Sequence, residues 1–168
     1  PVETFMAQLA QRLPVPLIAL SSWRREPGAA SLHIGTYPQR DTDRVYIGAA
    51  PPLGRLSAAM LEGLAQLARE YGDGTLRFTP WQSVLLPNVR AADASTVTRQ
   101  LHALGLCCDV GNPLAHLIAC TGSSACAKGL ADTKQDARQL AANLSQPLSI
   151  HLTGCLRSCA AAHVAPVT

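Results

Sequence analysis

Apolar residues along this chain recur first every second position and then at helical spacing, and the alternation of these two rhythms predicts its elements. Residues 31–36 and 44–49 read as strands, separated by the polar residues 37–43. Pro51-Pro52-Leu53-Gly54 then opens the clearest helix, in which Leu56, Met60, Leu64, Leu67 and Tyr71 share one face before Gly72 stops it. Residues 75–78 and 83–86 are two more strands, broken at Pro80, and Asp93 or Ser95 can cap a helix carrying Val97, Leu101 and Leu104. The order strand, strand, helix, strand, strand, helix is that of a ferredoxin-like split βαβ arrangement.

From His116 the pattern restarts. Residues 116–119 read as a strand, residues 133–144 as a helix with Ala137, Leu140, Ala141 and Leu144 on one face, and residues 149–152 as another strand. At the other end, Phe5, Leu9 and Leu13 have a loose helical spacing that Pro14 and Pro16 end, residues 17–20 are apolar, and residues 21–30 are polar with a turn at Pro27-Gly28. An α+β chain in three segments is therefore expected: a linker or docking arm over 1–30, a ferredoxin-like half-domain over 31–112, and an α/β unit over 113–168.

Composition narrows the functional classes. With 168 residues the chain can bury roughly 70% of its unfolded surface and needs no disulfide or metal merely to fold. Aromatics make up only 4%, so the core should be aliphatic. The formal charge of +3 is spread along the chain rather than gathered in basic blocks, which argues against nucleic acid and for a small anionic ligand. No apolar run approaches the ~18 residues of a membrane span, and no signal-peptide pattern opens the chain. It reads as cytoplasmic, where six cysteines point to metal or thiol chemistry. The chain begins without Met and stops nine residues after Cys159, which suggests a piece of a longer protein.

Four of the six cysteines form a C-x5-C pair, Cys120 and Cys126, and a C-x3-C pair, Cys155 and Cys159. Each pair follows a predicted strand, the end of an open α/β sheet at which ligands bind. Thiolates suit zinc or an iron–sulfur cluster, but zinc knuckles use shorter gaps. A gap of five suits a 4Fe–4S cubane, whose separate corners are approached from different directions. Gly122, Gly129 and Gly154 leave room for backbone beside such a core and free N–H groups for its sulfides. Buried structural thiols and a zinc module remain the competing readings. Cys107 and Cys108, adjacent and without a partner motif, read as core or loop thiols.

At Ala119-Cys120-Thr121-Gly122 and Gly154-Cys155 the chain resembles the sulfite/nitrite reductase family, in which C-x5-C and C-x3-C bind a 4Fe–4S cluster, with Thr121 in place of the usual Pro. The resemblance covers about residues 30–168. It implies a ferredoxin-like half-domain followed by a truncated α/β 4Fe–4S domain, with Cys120, Cys126, Cys155 and Cys159 as ligands. The missing N-terminal half of the same protein would complete the pocket, so the chain alone should be inactive.

Within that family, Ala50-Pro51-Pro52-Leu53-Gly54-Arg55-Leu56 and Leu76-Arg77-Phe78-Thr79-Pro80-Trp81 are most similar to the precorrin-3B synthases. Trp81 stands where siroheme reductases have a carboxylate-binding Arg, and Gln82 where the synthases have Arg. This branch implies a cobalamin-pathway monooxygenase that hydroxylates the tetrapyrrole precorrin-3A at C20 with O2 and closes a γ-lactone. Its electrons would come indirectly from NADH or NADPH through an electron donor. The alternatives are a siroheme-dependent nitrite or sulfite reductase, and a non-enzymatic iron–sulfur or zinc module.

A carboxylate-edged substrate calls for guanidinium forks, and the resemblance offers Arg77, Arg55 and Arg157, with Lys128 close to Cys126. Arg77 is the first candidate, with Leu76 and Phe78 turned to the core. Each of these charges also reads as a solvated surface side chain. His163 is a candidate donor or iron ligand, though a lone His is more often neither, and Trp81 reads as core. No catalytic residue is identified.

Overall fold

The computed structural model describes residues 1–18, 31–41 and 43–161. Four strands, β1 (Gly35–Pro38), β2 (Arg44–Ala49), β3 (Arg77–Phe78) and β4 (Val84–Arg90), form an antiparallel sheet in the order β1-β2-β4-β3. Since β4 is antiparallel to both β2 and β3 and lies between them, β2 and β3 run parallel with one strand inserted. The crossover between them contains α2 (Ala58–Tyr71), which makes the split βαβ unit that the apolar rhythm predicts. Helix α3 (Ala94–Ala103) follows β4.

Both helices bury one stripe in the same core. Leu64, Leu67 and Ala68 from α2 and Val97 and Leu101 from α3 meet Ile47, Ala49, Val84, Leu86 and Val89 of the sheet. Leu64 is fully buried, so Leu64→Ala should lower the unfolding free energy by about 2–5 kcal/mol, read from the midpoint of a denaturant titration.

Strand β4 is longer than expected and runs through Pro87, which cannot donate to a ladder. A bulge solves this. Val45 pairs with Val89 and Ile47 with Leu86, so one residue of β2 faces Pro87 and Asn88 together, and Asn88 takes a left-handed φ of 60°. The extra residue returns Val89 to the face of Val84 and Leu86.

Other expected boundaries shift for local reasons. Ser31, at φ 62°, starts a turn closed by the Ile34 amide on its carbonyl, so β1 begins at Gly35 and uses Tyr37 and Pro38, which pair with Tyr46 and Val45. Pro52–Gly54 forms one 3-10 turn; Arg55 is then extended, and α2 starts after Ser57, whose hydroxyl accepts from the Met60 amide, so Leu56 lies before the helix. The Asp73 carboxylate holds the Thr75 amide and hydroxyl and keeps Thr75 out of β3. Asp93 occupies the N-cap position of α3, but its carboxylate binds Arg90 at 3.0 Å rather than the helix.

A second, two-stranded parallel sheet pairs β5 (Leu117–Ala119) with β6 (Ile150–Leu152), and α4 (Thr133–Asn143) packs on it. Its core joins Leu117, Ala119 and Ala137 to Leu53, so the turn after β2 is built into it. Near the N-terminus α1 (Val2–Ala10) has no buried residue. Pro27-Gly28 and His163 lie outside the described residues. Among the described residues no helix is long and apolar enough to cross a membrane.

Candidate metal centre at the ends of two parallel strands

Parallel pairing of β5 with β6 sets the two cysteine loops side by side. Just past β5, the Cys120 amide donates to Leu152 O at 3.0 Å, which continues the ladder to the first cysteine. The Gly154 amide then donates to Cys120 Sγ at 3.2 Å, and the Leu130 amide to Gly154 O at 2.9 Å. Each loop is also closed on itself. In the first, the Cys126 amide reaches Gly122 O at 3.0 Å and the Gly129 amide Cys126 O at 2.9 Å; in the second, Ser158, at φ 52°, donates to Cys155 O.

Two glycines allow this fold. Gly122 has φ 69°, and a Cβ there would lie 2.8 Å from the Thr133 amide nitrogen. A Cβ on Gly129 would lie 2.6 Å from backbone atoms of Gly122 and Ser123. The two stretches of the loop are therefore pressed backbone to backbone, as the spacing of glycines around the cysteines suggests.

Burial alone would raise the Cys120 thiol. Hydrogen bonds from Thr133 and from the Gly154 and Gly122 amides, with the charge of Lys134, outweigh it and bring the thiol below its ordinary range. Thr133 has one hydroxyl proton and donates it to Cys120 O at 2.9 Å, with the sulfur at 3.5 Å, so the Gly154 amide is the firmer donor to the sulfur. Cys108 is the reverse case. Burial, followed by the neighbouring Cys107, pushes it up to about 12, and it packs in the main core. Iodoacetamide at neutral pH should leave Cys108 unmodified in the folded protein and label it only after denaturation, read by peptide mass.

The sequence candidates do not all gather in one place. Cys120 and Cys159, one from each pair, line a single cavity of about 460 Å³ together with Arg55, Gln82 and Lys134. Arg77 lines a different groove, with Arg40 and Tyr46. Leu76 packs on the core, but Phe78 is 63% exposed, so only one of the two neighbours of Arg77 turns inward. Trp81 is not core: it is 59% exposed and stacks on His33 at 5.3 Å. Lys128 and Arg157 are exposed on the two cysteine loops. Lys134, which no motif in the sequence marks, is buried in the cavity wall. The available signal was its position three residues before Ala137, on the apolar face of α4.

The donor set suits an iron–sulfur group. It consists of thiols alone, and the sulfur of Cys120 accepts a backbone N–H. Among the described residues no three Cys, His, Asp or Glu side chains converge to hold one metal ion.

Residues 37–104 match the family described as the nitrite/sulfite reductase ferredoxin-like half domain. Over 99% of its length the chain is 32% identical to the chloroplastic ferredoxin–nitrite reductase of Zea mays, of which it spans 31%. Over 72% of its length it is 33% identical to sulfite reductase [ferredoxin] 2 of Mycolicibacterium paratuberculosis, of which it spans 24%. The solved structure of the Mycobacterium tuberculosis NirA protein superposes on 94% of the chain with a TM-score of 0.79 and 27% identity, the chain covering 30% of it. The chain thus spans less than a third of each relative. Together with the split βαβ sheet, these matches identify residues 37–104 as a ferredoxin-like half domain of the nitrite/sulfite reductase family.

Proposed function

We propose that this chain is the cluster-holding portion of an oxidoreductase of the nitrite/sulfite reductase type. Cys120, Cys126, Cys155 and Cys159 would hold a 4Fe–4S cluster beside a carboxylate-edged tetrapyrrole. The observation that carries this reading is the shared cavity of Cys120 and Cys159, lined also by Arg55. When bound, the cluster would supply one-electron transfer. The protein's own share is to present the sulfurs, bond one of them through the Gly154 amide, and offer Arg55 as a fork for a substrate carboxylate. Residues 113–168 would be the cluster domain and 31–112 the half-domain that walls the cavity.

Reduction of nitrite or sulfite is the form that the names of the relatives support, and the sequence resemblance adds siroheme as its cofactor. The electron donor would then be ferredoxin, as in those names. A second form, the monooxygenase acting on precorrin-3A, is supported by Trp81. By the sequence resemblance it stands where the siroheme reductases carry a carboxylate-binding Arg, and its ring lies on His33.

The visible spectrum of the longer protein that contains this chain, purified anaerobically, tests both forms. A broad shoulder near the blue edge with iron and sulfide present supports a cluster without siroheme, and hence the precorrin form. Added Soret and red bands support the reductase. A colourless protein containing zinc and no sulfide would overturn the proposal. Turnover follows in the longer protein that contains this chain, with nitrite or sulfite in one assay and precorrin-3A with O2 in the other.

A further inference from the structure

Lys134 is the second residue of α4, a helix terminus whose unpaired amides make it positive and disfavour a cation. Even so, the residue is only 8% exposed. Nζ donates to Leu53 O at 2.7 Å and to Ala119 O at 2.9 Å, which uses two of the three protons of an ammonium group. The first acceptor belongs to the strained turn after β2, where Leu53 has φ 52°, and the second immediately precedes Cys120. Lys134 therefore ties the half-domain to the first cysteine loop across 81 residues of sequence.

Its electrostatic surroundings are unfavourable as they stand. Among the described residues no carboxylate lies within 4 Å of Nζ, since the ion pairs there are Arg44 with Asp43 and Arg90 with Asp93. Burial, and then the positive charge of Arg55, both work against the ammonium, while Cys120 works for it. Two carbonyls satisfy hydrogen bonds but supply no net charge. A cation kept from water, at the positive end of a helix and beside a guanidinium, calls for an anion in the cavity it lines. The sulfurs of Cys120 and Cys159 line that cavity.

We propose that Lys134 is the built-in counter-charge of the iron–sulfur site and a positioning residue for Cys120. This rests on the reading of the four cysteines as cluster ligands. Four thiolates give such a site a net negative charge, and taking up one more electron adds to it. A fixed cation alongside lowers the cost of that added charge, and so raises the reduction potential of the site. In a titration the electron comes from a mediator-coupled one-electron reductant, and no bond to Lys134 forms or breaks.

The test compares the iron-loaded protein with Lys134→Arg, Lys134→Gln and Lys134→Met. Iron and acid-labile sulfide are measured first, and the midpoint potential is then followed by the paramagnetic signal of the reduced site. Lys134→Gln retains an amide donor without the charge, so it should keep its iron and titrate at a more negative potential. Lys134→Arg should stay near the wild type, and Lys134→Met should shift as Lys134→Gln does. If Lys134→Gln and Lys134→Met lose the iron while Lys134→Arg keeps it, the need for charge is supported more directly still. An unshifted potential in Lys134→Gln overturns the proposal, and so does loss of iron in all three variants, which would mean that only the packing of a lysine matters. A wild-type protein without iron and sulfide overturns the cluster reading itself, a result obtained before any variant is compared.

Discussion

Replacing any one of Cys120, Cys126, Cys155 or Cys159 by Ala should bleach the purified protein and remove most of its iron, measured by visible absorption and by iron and sulfide analysis. Each thiolate would hold one corner of the cluster, and an opened corner exposes iron to water and oxygen. Cys120→Ala should be the most damaging, because it also leaves the Gly154 amide without its acceptor and so loosens the second loop. Cys107→Ala and Cys108→Ala are the controls. Cys108 lies in the core of the other sheet and Cys107 pairs through its backbone with Ala50, so both variants should keep their iron. If all four ligand variants retained full iron, the cluster assignment would be lost.

Gly129→Ala should have nearly as large an effect while leaving every sulfur in place. The new methyl would sit 2.6 Å from the backbone carbon of Gly122 and the amide nitrogen of Ser123, and neither atom belongs to a flexible side chain that could move aside. Relief requires the two stretches of the C-x5-C loop to separate. That movement breaks the bond from the Gly129 amide to Cys126 O and pulls Cys126 from its seat. Iron content should fall by most of its value, whereas far-ultraviolet dichroism should remain close to the wild type, because the four-stranded sheet and helices α2 and α3 share a core of their own. Gly74→Ala is the control: its Cβ would meet nothing within 4 Å, so only the modest strain of φ 80° remains and iron should be retained.

The apolar rhythm carried the architecture. Leu64 and Leu67, then Val97 and Leu101, fall at helical spacing because each helix must bury a stripe, and these residues are the floor of the observed core. Boundaries were less legible where a single polar contact decides them. The Asp73 carboxylate shortens β3 and the Ser57 hydroxyl delays α2, and neither leaves a trace in hydrophobic periodicity. The expected strand stops at residue 86, yet a bulge carries β4 past Pro87 to Arg90.

The site divides along the same line. Sequence spacing alone was enough to single out the four cysteines and the glycines beside them, since ligand type and loop length are local properties of the chain. Which charges stand beside those cysteines is a matter of how the sheets are placed. Arg55, Arg77, Arg157 and Lys128 look alike as motif-adjacent cations, and yet only Arg55 reaches the cavity of Cys120 and Cys159, while Arg77 opens onto another groove. Lys134 gains its position from Leu53, a residue that lies far away in sequence and is brought near by the packing of the turn after β2 on β5. Contacts of that range depend on the relative placement of elements, which no local pattern encodes, and so tertiary structure alone decided which cations surround the cysteines.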